Sequence, residues 1–283
     1  MTSTIQAVLV EFSASQWTGR KLDRKVSLEI DTAKQTKTRA GNYNKNLFAD
    51  CAELEAVTRH ISKVRAAHIE RTLPWYDSGA RLLPTAAFNE YHAYMAQQVA
   101  EADVLFRAFF AIYDTHIAKA AFTMGDLFDR SEYPPLDTIE SRFNMKVNYP
   151  PLPQAGDFRI EQIDALQVNL RDEYDKMYAD RLAAARRDVW ERFSECVTRL
   201  VERLGTAPDG RPNIFRDSLV ENALDLVNSM DTFNVEGDPE LTSARHALAG
   251  ALMGVTPKEL RENTAVRDEV RKNVASIMDK FGM

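Results

Sequence analysis

Apolar residues recur at helical spacing along most of this chain. Leu47, Leu54, Val57, Ile61, Val64 and Ile69 fall on one stripe, as steps of three and four place residues on a single helix face. The pattern predicts a helix from about Asn46 to Thr72, ended by Leu73-Pro74 because Pro cannot continue an α-helix. A second helix is expected from about Thr85 to Phe122, with Phe88, Tyr91, Met95, Val99, Leu105, Phe109, Ile112 and Tyr113 at the same spacing and Gly125 beyond its end. The third is the longest, from about Glu161 to Leu204. Ile163, Leu166, Leu170, Tyr174, Met177, Leu182, Ala185, Val189, Phe193, Cys196, Leu200 and Leu204 repeat along it, and Gly205 stops it. Such a rod is about 60 Å long, more than one compact core covers. It is therefore expected to pair with the 85–122 helix as an antiparallel helical hairpin.

The pattern changes at both ends. Ala7 to Phe12 is β-prone, and Val26-Ser-Leu-Glu-Ile30 alternates apolar with polar at the period of a half-buried strand. These two predict a small antiparallel pair. Residues Lys34 to Lys45 read as a polar, basic loop. Met145, Val147 and Tyr149 alternate over a short stretch that would extend the N-terminal sheet, within a region broken by Pro134, Pro135, Pro150, Pro151 and Pro153. Beyond Thr206-Ala-Pro-Asp-Gly-Arg-Pro-Asn213, which reads as a linker, short helices are expected at about 214–230, from Asp238-Pro239, from Thr256-Pro257-Lys-Glu259 and from Thr264. At Asp238-Pro239 and Thr256-Pro257 the signature is a cap residue followed by Pro at the first helical position, and the other two are read from apolar spacing. The fold class is mainly α: a long antiparallel helical hairpin with a small N-terminal β element and a small C-terminal helical bundle. The expected divisions are 1–45 (β-hairpin and basic loop, packed on the next domain), 46–205, the linker 206–213 and 214–283.

Composition narrows the class. With 45% hydrophobic and 28% charged residues, the 283-residue chain can bury a core and is not globally disordered. No apolar run approaches the roughly 18 residues of a membrane span, and Met1-Thr-Ser-Thr-Ile lacks the basic and apolar regions of a secretory leader. A cytoplasmic protein with no membrane partner is expected. Cys51 and Cys196 fit reduced packing residues. The net charge of −6 is uneven: residues 1–72 carry 12 Lys/Arg against 8 Asp/Glu, and the remainder 24 against 34.

That asymmetry points to the one constellation with a chemical reading. Arg20, Lys21, Arg24 and Lys25 lie close to Trp17, and Lys34, Lys37, Arg39, Tyr43 and Lys45 follow in the loop. Cations neutralise phosphates and exposed aromatics stack on unpaired bases, which is how single strands are held without sequence readout. The candidate contacts are therefore Trp17, Arg20, Lys21, Arg24, Lys25, Lys37, Arg39, Tyr43 and Lys45, with Trp17 and Tyr43 as stacking partners. The alternative is a solubilising basic loop whose Trp17 and Tyr43 pack inward. Elsewhere the chemistry is thin. No phosphate loop, His-Glu-x-x-His or Glu-x-x-His occurs. The five histidines are scattered, and no metal, cofactor or catalytic residue is expected. Phe106, Phe109, Phe110, Tyr113 and Phe122 read as core against the third long helix.

Several segments carry a resemblance: Trp17-Thr-Gly-Arg-Lys-Leu22, Thr72-Leu-Pro-Trp-Tyr-Asp-Ser-Gly-Ala-Arg-Leu-Leu-Pro84, Gly125-Asp-Leu-Phe128 with Tyr133-Pro134, Pro151-Leu-Pro153 with Gly156-Asp-Phe-Arg159, and Phe215-Arg-Asp-Ser-Leu-Val-Glu-Asn222. Together they resemble uncharacterised proteins of tailed bacteriophages and prophages similar to the DUF3150 group. The resemblance implies phage origin and action inside a bacterial host cell, and it supplies no active site. Three functions follow: a phage-type accessory protein in DNA transactions that binds or anneals single-stranded nucleic acid, its C-terminal helical unit recruiting a partner; a non-catalytic structural or assembly protein that oligomerises through its long helical hairpin; and an enzyme using the Trp75–Arg81 turn, whose Pro-Trp start more often marks a packing anchor.

Overall fold

The computed structural model describes residues 6–77, 79–152 and 164–283, with side chains of the last stretch described from Asp172 on. In chain order the elements are β1 (Ala7–Ser15), β2 (Arg20–Asp23), α1 (Arg24–Ala33), β3 (Tyr43–Asn46), α2 (Ala52–Glu70), β4 (Leu73–Pro74), β5 (Arg81–Pro84), α3 (Phe88–Thr123), α4 (Leu136–Glu140) and β6 (Asn144–Asn148). Then come α5 (Asp164–Leu204), α6 (Ser218–Phe233), α7 (Pro239–Leu252), α8 (Pro257–Glu262) and α9 (Thr264–Phe281). The described residues are mainly helical.

The chain forms two compact units. The larger comprises Met1–Glu11, Arg71–Asn89 and Tyr149–Met283; the smaller comprises Phe12–Glu70 and Glu90–Asn148. The division differs from the one expected, because β1 and α3 each run from one unit into the other. Residues 153–163, including the expected helix start at Glu161 and the Gly156–Arg159 motif, lie outside the described residues, as do Ser78 and the side chains of Leu166 and Leu170.

In the larger unit, β1 pairs antiparallel with β5 in the register Ala7↔Pro84 to Val10↔Arg81, and β5 pairs with β4. β6, which belongs to the smaller unit, is the other neighbour of β1 in the order β4-β5-β1-β6, so the Met145–Val147 alternation does add a strand beside β1. The strand expected at Val26–Ile30 is instead the middle of α1. Five alternating residues cannot distinguish a strand from a short helix. The choice is made by Asp23, whose carboxylate accepts from the Lys25 and Val26 amides at 3.0 and 3.1 Å and caps the first turn. The strand that β1 pairs with, Arg81–Pro84, does not alternate: Leu82 and Leu83 are both fully buried.

The apolar stripe of α5 becomes interior from Ala185 onward, through Val189, Phe193, Val197, Leu200 and Leu204. It is covered by α6 and α9 with Val220, Ala223, Val227, Met230, Val270, Val274 and Ile277, in one core that also takes Leu9, Leu73, Trp75 and Leu82. The expected partner of this rod, the 85–122 helix, belongs from Glu90 on to the other unit; the greasy side of α5 is satisfied by the C-terminal helices. Those helices start as their caps require. Asp238 accepts from the Glu240 and Leu241 amides ahead of Pro239, Thr256 from Glu259, and Asn263 from Ala265 and Val266. The segment 206–213, expected as a linker, is a closed turn. Thr206 bridges Pro212, the Asn213 amide donates to the Gly205 carbonyl at 3.0 Å, and the Gly210 amide to that of Ala207 at 2.9 Å.

The smaller unit is built on α2 and α3. His60 Nε2 lies 2.9 Å from the Gln98 carbonyl and His68 Nδ1 lies 2.7 Å from the Tyr91 hydroxyl. Two of the scattered histidines are thus satisfied interior groups. Phe48 sits among Phe109, Tyr113 and His116, stacked at 5.2 and 4.7 Å on the last two. Phe143 meets Phe106, Phe109 and Phe110, each at 5.3 Å. The aromatic residues of α3 therefore find their core within their own unit, and Phe122, expected to share it, is 89% exposed.

Candidate nucleic-acid interface

The basic constellation folds as a small β2–α1–β3 module within the smaller unit. β2 and β3 pair antiparallel with Arg20↔Asn46, Lys21↔Lys45, Leu22↔Asn44 and Asp23↔Tyr43. The helix between them is fixed at both ends. Ser27 Oγ donates to the Asp23 carbonyl at 2.6 Å and accepts from the Tyr43 amide at 2.9 Å. The return loop is held by Asp31, whose carboxylate accepts from the Ala40 amide and whose carbonyl accepts from that of Thr36. Gln35 turns the chain with φ 52°.

The structure divides the nine candidate residues. Trp17 is interior, 8% exposed, with its ring edge-on to Phe48 at 5.2 Å and Tyr113 at 6.1 Å. It anchors the start of the module and presents no stacking face. Gly19, two residues on, has φ +64°, and a Cβ there would lie 3.3 Å from Leu54, which accounts for the Trp-Thr-Gly motif. Lys45 is interior as well, 5% exposed. Its ammonium lies 3.1 Å from Asp23 and 2.6 Å from Glu132 and donates to the Leu127 carbonyl at 3.2 Å. Burial opposes its charge, but the hydrogen bonds to Glu132 and Asp23 hold its pKa above the ordinary value. Lys45 is spent on these carboxylates and cannot also serve a phosphate. Tyr43 is half-buried.

The other six, Arg20, Lys21, Arg24, Lys25, Lys37 and Arg39, are exposed, as is Lys34. Lys21 lies 3.8 Å from Glu132 with half its side chain in solvent; the rest form no ion pair with any described residue. Residues 20–46 hold eight Lys/Arg against three Asp/Glu. With Lys45 absorbed by Asp23, the positive excess lies on exposed side chains. Leu28 and Ile30 of α1, 66% and 48% exposed, sit among them. Sequence reasoning missed Asp23 and Glu132: an acidic cap looks like any other turn residue, and Glu132 is distant in the chain.

Among the described residues no group of three or more His, Cys, Asp or Glu could hold a metal ion. No described helix is long and apolar enough to cross a membrane. No family model matches the chain, and neither do any curated protein and any solved structure.

Proposed function

We propose that this chain is a phage-type accessory protein in DNA transactions, acting inside the bacterial cell, that binds or anneals single-stranded nucleic acid through the exposed face of the β2–α1–β3 module. One observation carries the reading: six candidate cations stand in solvent on one compact module while the module's interior lysine is neutralised by two carboxylates. Unpaired surface cations gain from releasing the counterions of a phosphate backbone, and that gain carries no sequence preference. If all six engage, the salt slope for a single strand is about −4, and affinity falls by a few hundredfold between about 50 and 200 mM salt. A fluorescence titration with a labelled oligonucleotide tests this. Reversing Arg24 and Lys25 to Glu is expected to weaken binding and flatten the salt dependence whatever the base sequence. Absent or salt-insensitive binding by the unaltered protein removes the reading.

A second reading, a non-catalytic assembly protein that oligomerises through its long helices, is supported by α3. Opposite its buried face, Ala100, Val104, Ala108, Ala111, Ala118 and Phe122 are all exposed and uncharged at steps of three, four and seven. Val104 is 64% and Phe122 89% exposed. A helix apolar on both faces usually meets two neighbours. Light scattering decides: a strict monomer at high concentration, unchanged by Val104→Glu, removes this reading.

A further inference from the structure

We infer that the tip of the β4–β5 hairpin, with the adjoining turns of α5, is a stacking site for an unpaired nucleobase. The inference rests on the single-strand reading above but on a different set of residues. Trp75 is 4% exposed and meets the Tyr178 ring edge-on at 5.2 Å; Tyr178 in turn lies 6.2 Å from Tyr174. Outside this pair, the guanidinium of Arg181 lies over the Tyr76 ring at 4.1 Å and 5.9 Å from the Trp75 centroid. Tyr76 remains 38% exposed, and Tyr174, Tyr178 and Arg181 are half-buried.

This cluster is held in place from below. Leu73↔Leu82 and Pro74↔Arg81 pair the hairpin, the Tyr76 amide donates to the Ala80 carbonyl at 3.2 Å, and Arg81 Nε donates to Thr72 Oγ1 at 2.7 Å. Gly79, with φ +98°, makes the reversal at the tip. Rigid, amphipathic aromatic surface is what a stacking contact requires, since little ordering remains to be done on binding.

Two groups bear on what binds here. Arg181 forms no ion pair with a described residue, and its guanidinium lies beside the Tyr76 ring. The Nε1–H of Trp75 is buried with no acceptor among the described residues, and interior donors are seldom left so. A nucleobase fits: it offers a π-face to Tyr76 and Arg181 and acceptor edges to the Arg181 donors, whatever its identity.

The test measures binding of a labelled oligothymidylate of about 20 nucleotides, and of the same length of abasic strand, to the full chain. Tyr76→Ala and, separately, Arg181→Gln are expected to weaken oligothymidylate binding by about tenfold without changing its salt slope. Tyr76→Phe should retain wild-type affinity, and the abasic strand should bind all four proteins alike. If both Tyr76→Ala and Arg181→Gln bind oligothymidylate within about twofold of wild type, while Arg24→Glu with Lys25→Glu weakens it, the stacking site is wrong and the basic-face reading stands. If the unaltered protein binds no oligonucleotide, both fall.

Discussion

Arg267 Nε donates to the carbonyl oxygen of Leu204 at 2.8 Å. Its Nη2 donates further to Asn213 at 2.6 Å, Arg203 at 2.8 Å and Gly205 at 3.3 Å, and the guanidinium lies 5.3 Å from the Phe215 ring centroid. The last carbonyls of an α-helix have no intrahelical partner and carry its negative dipole end. One side chain of α9 thus satisfies the terminus of α5 and pins the 206–213 turn to it. Burial lowers the pKa of Arg267, but arginine keeps its proton across the working pH range. Arg267→Met is expected to destabilise the larger unit by about 3 kcal/mol, because several buried carbonyls lose their donor together. Urea unfolding followed by circular dichroism measures it; a loss under about 1 kcal/mol would mean that the carbonyls find other partners.

The Arg267 contacts also show where sequence reading reached its limit. α2, α3, α5 and α9 are legible because apolar residues repeat at one period, and α7 and α8 because Asp238 and Thr256 carry cap chemistry that acts within three residues. Which helix covers which is decided by pairs such as Arg267 with Leu204, 63 positions apart, and no local periodicity encodes that. The same holds for the candidate interface. Its cations were legible as a cluster, yet the fate of Lys45 depends on Glu132 and that of Trp17 on Tyr113. Leu28 and Ile30 misled for a physical reason: apolar residues left in solvent on a short helix imitate the inward face of a strand.

Lys45 is the joint between the basic module and the Leu127–Glu132 segment. Lys45→Met leaves two largely buried carboxylates without their cation and is expected to destabilise the smaller unit by about 3 kcal/mol. The pH dependence follows from the directions of shift. The Val26 amide, and then Lys45, hold the Asp23 carboxyl below its ordinary value. Its contribution is complete above about pH 4 and drains away as pH falls through the lower folded value. The contribution of Lys45 is complete below about pH 10 and is lost as pH rises through its raised value. The stability difference between wild type and Lys45→Met should therefore be flat from about pH 5 to 9 and shrink below about pH 4. Parallel pH profiles for the two proteins would rule out the ion cluster as the source.

The two thiols should be inert in the folded protein. Burial pushes the Cys196 thiol up to about 11 and raises that of Cys51, which is 1% exposed. Thiolate is the reactive form, so at pH 8 little is available at either site. Ellman's reagent is expected to titrate neither residue within minutes under native conditions and both in denaturant. Rapid native reaction of one equivalent would show that a thiol reaches solvent.

Tyr113 offers a test of the aromatic core that separates a hydrogen bond from packing. Its hydroxyl donates to the Pro134 carbonyl at 2.8 Å while its ring stacks on Phe48 at 5.2 Å, and burial raises its pKa to about 12. Tyr113→Phe keeps the ring and removes the donor, so near neutral pH it should lose about 1 kcal/mol. In alkali the order changes. The unfolded phenol ionises near pH 10 and the folded one about two units higher, so wild type loses stability over that interval at up to about 1.4 kcal/mol per pH unit. The Phe variant has no such proton to lose. The advantage of wild type should therefore vanish near pH 11 and reverse above it, read as crossing urea midpoints for the two proteins. A gap that holds constant from neutral pH through about pH 11.5 would mean that the phenol ionises as readily in the fold as out of it, and that Pro134 is not its partner.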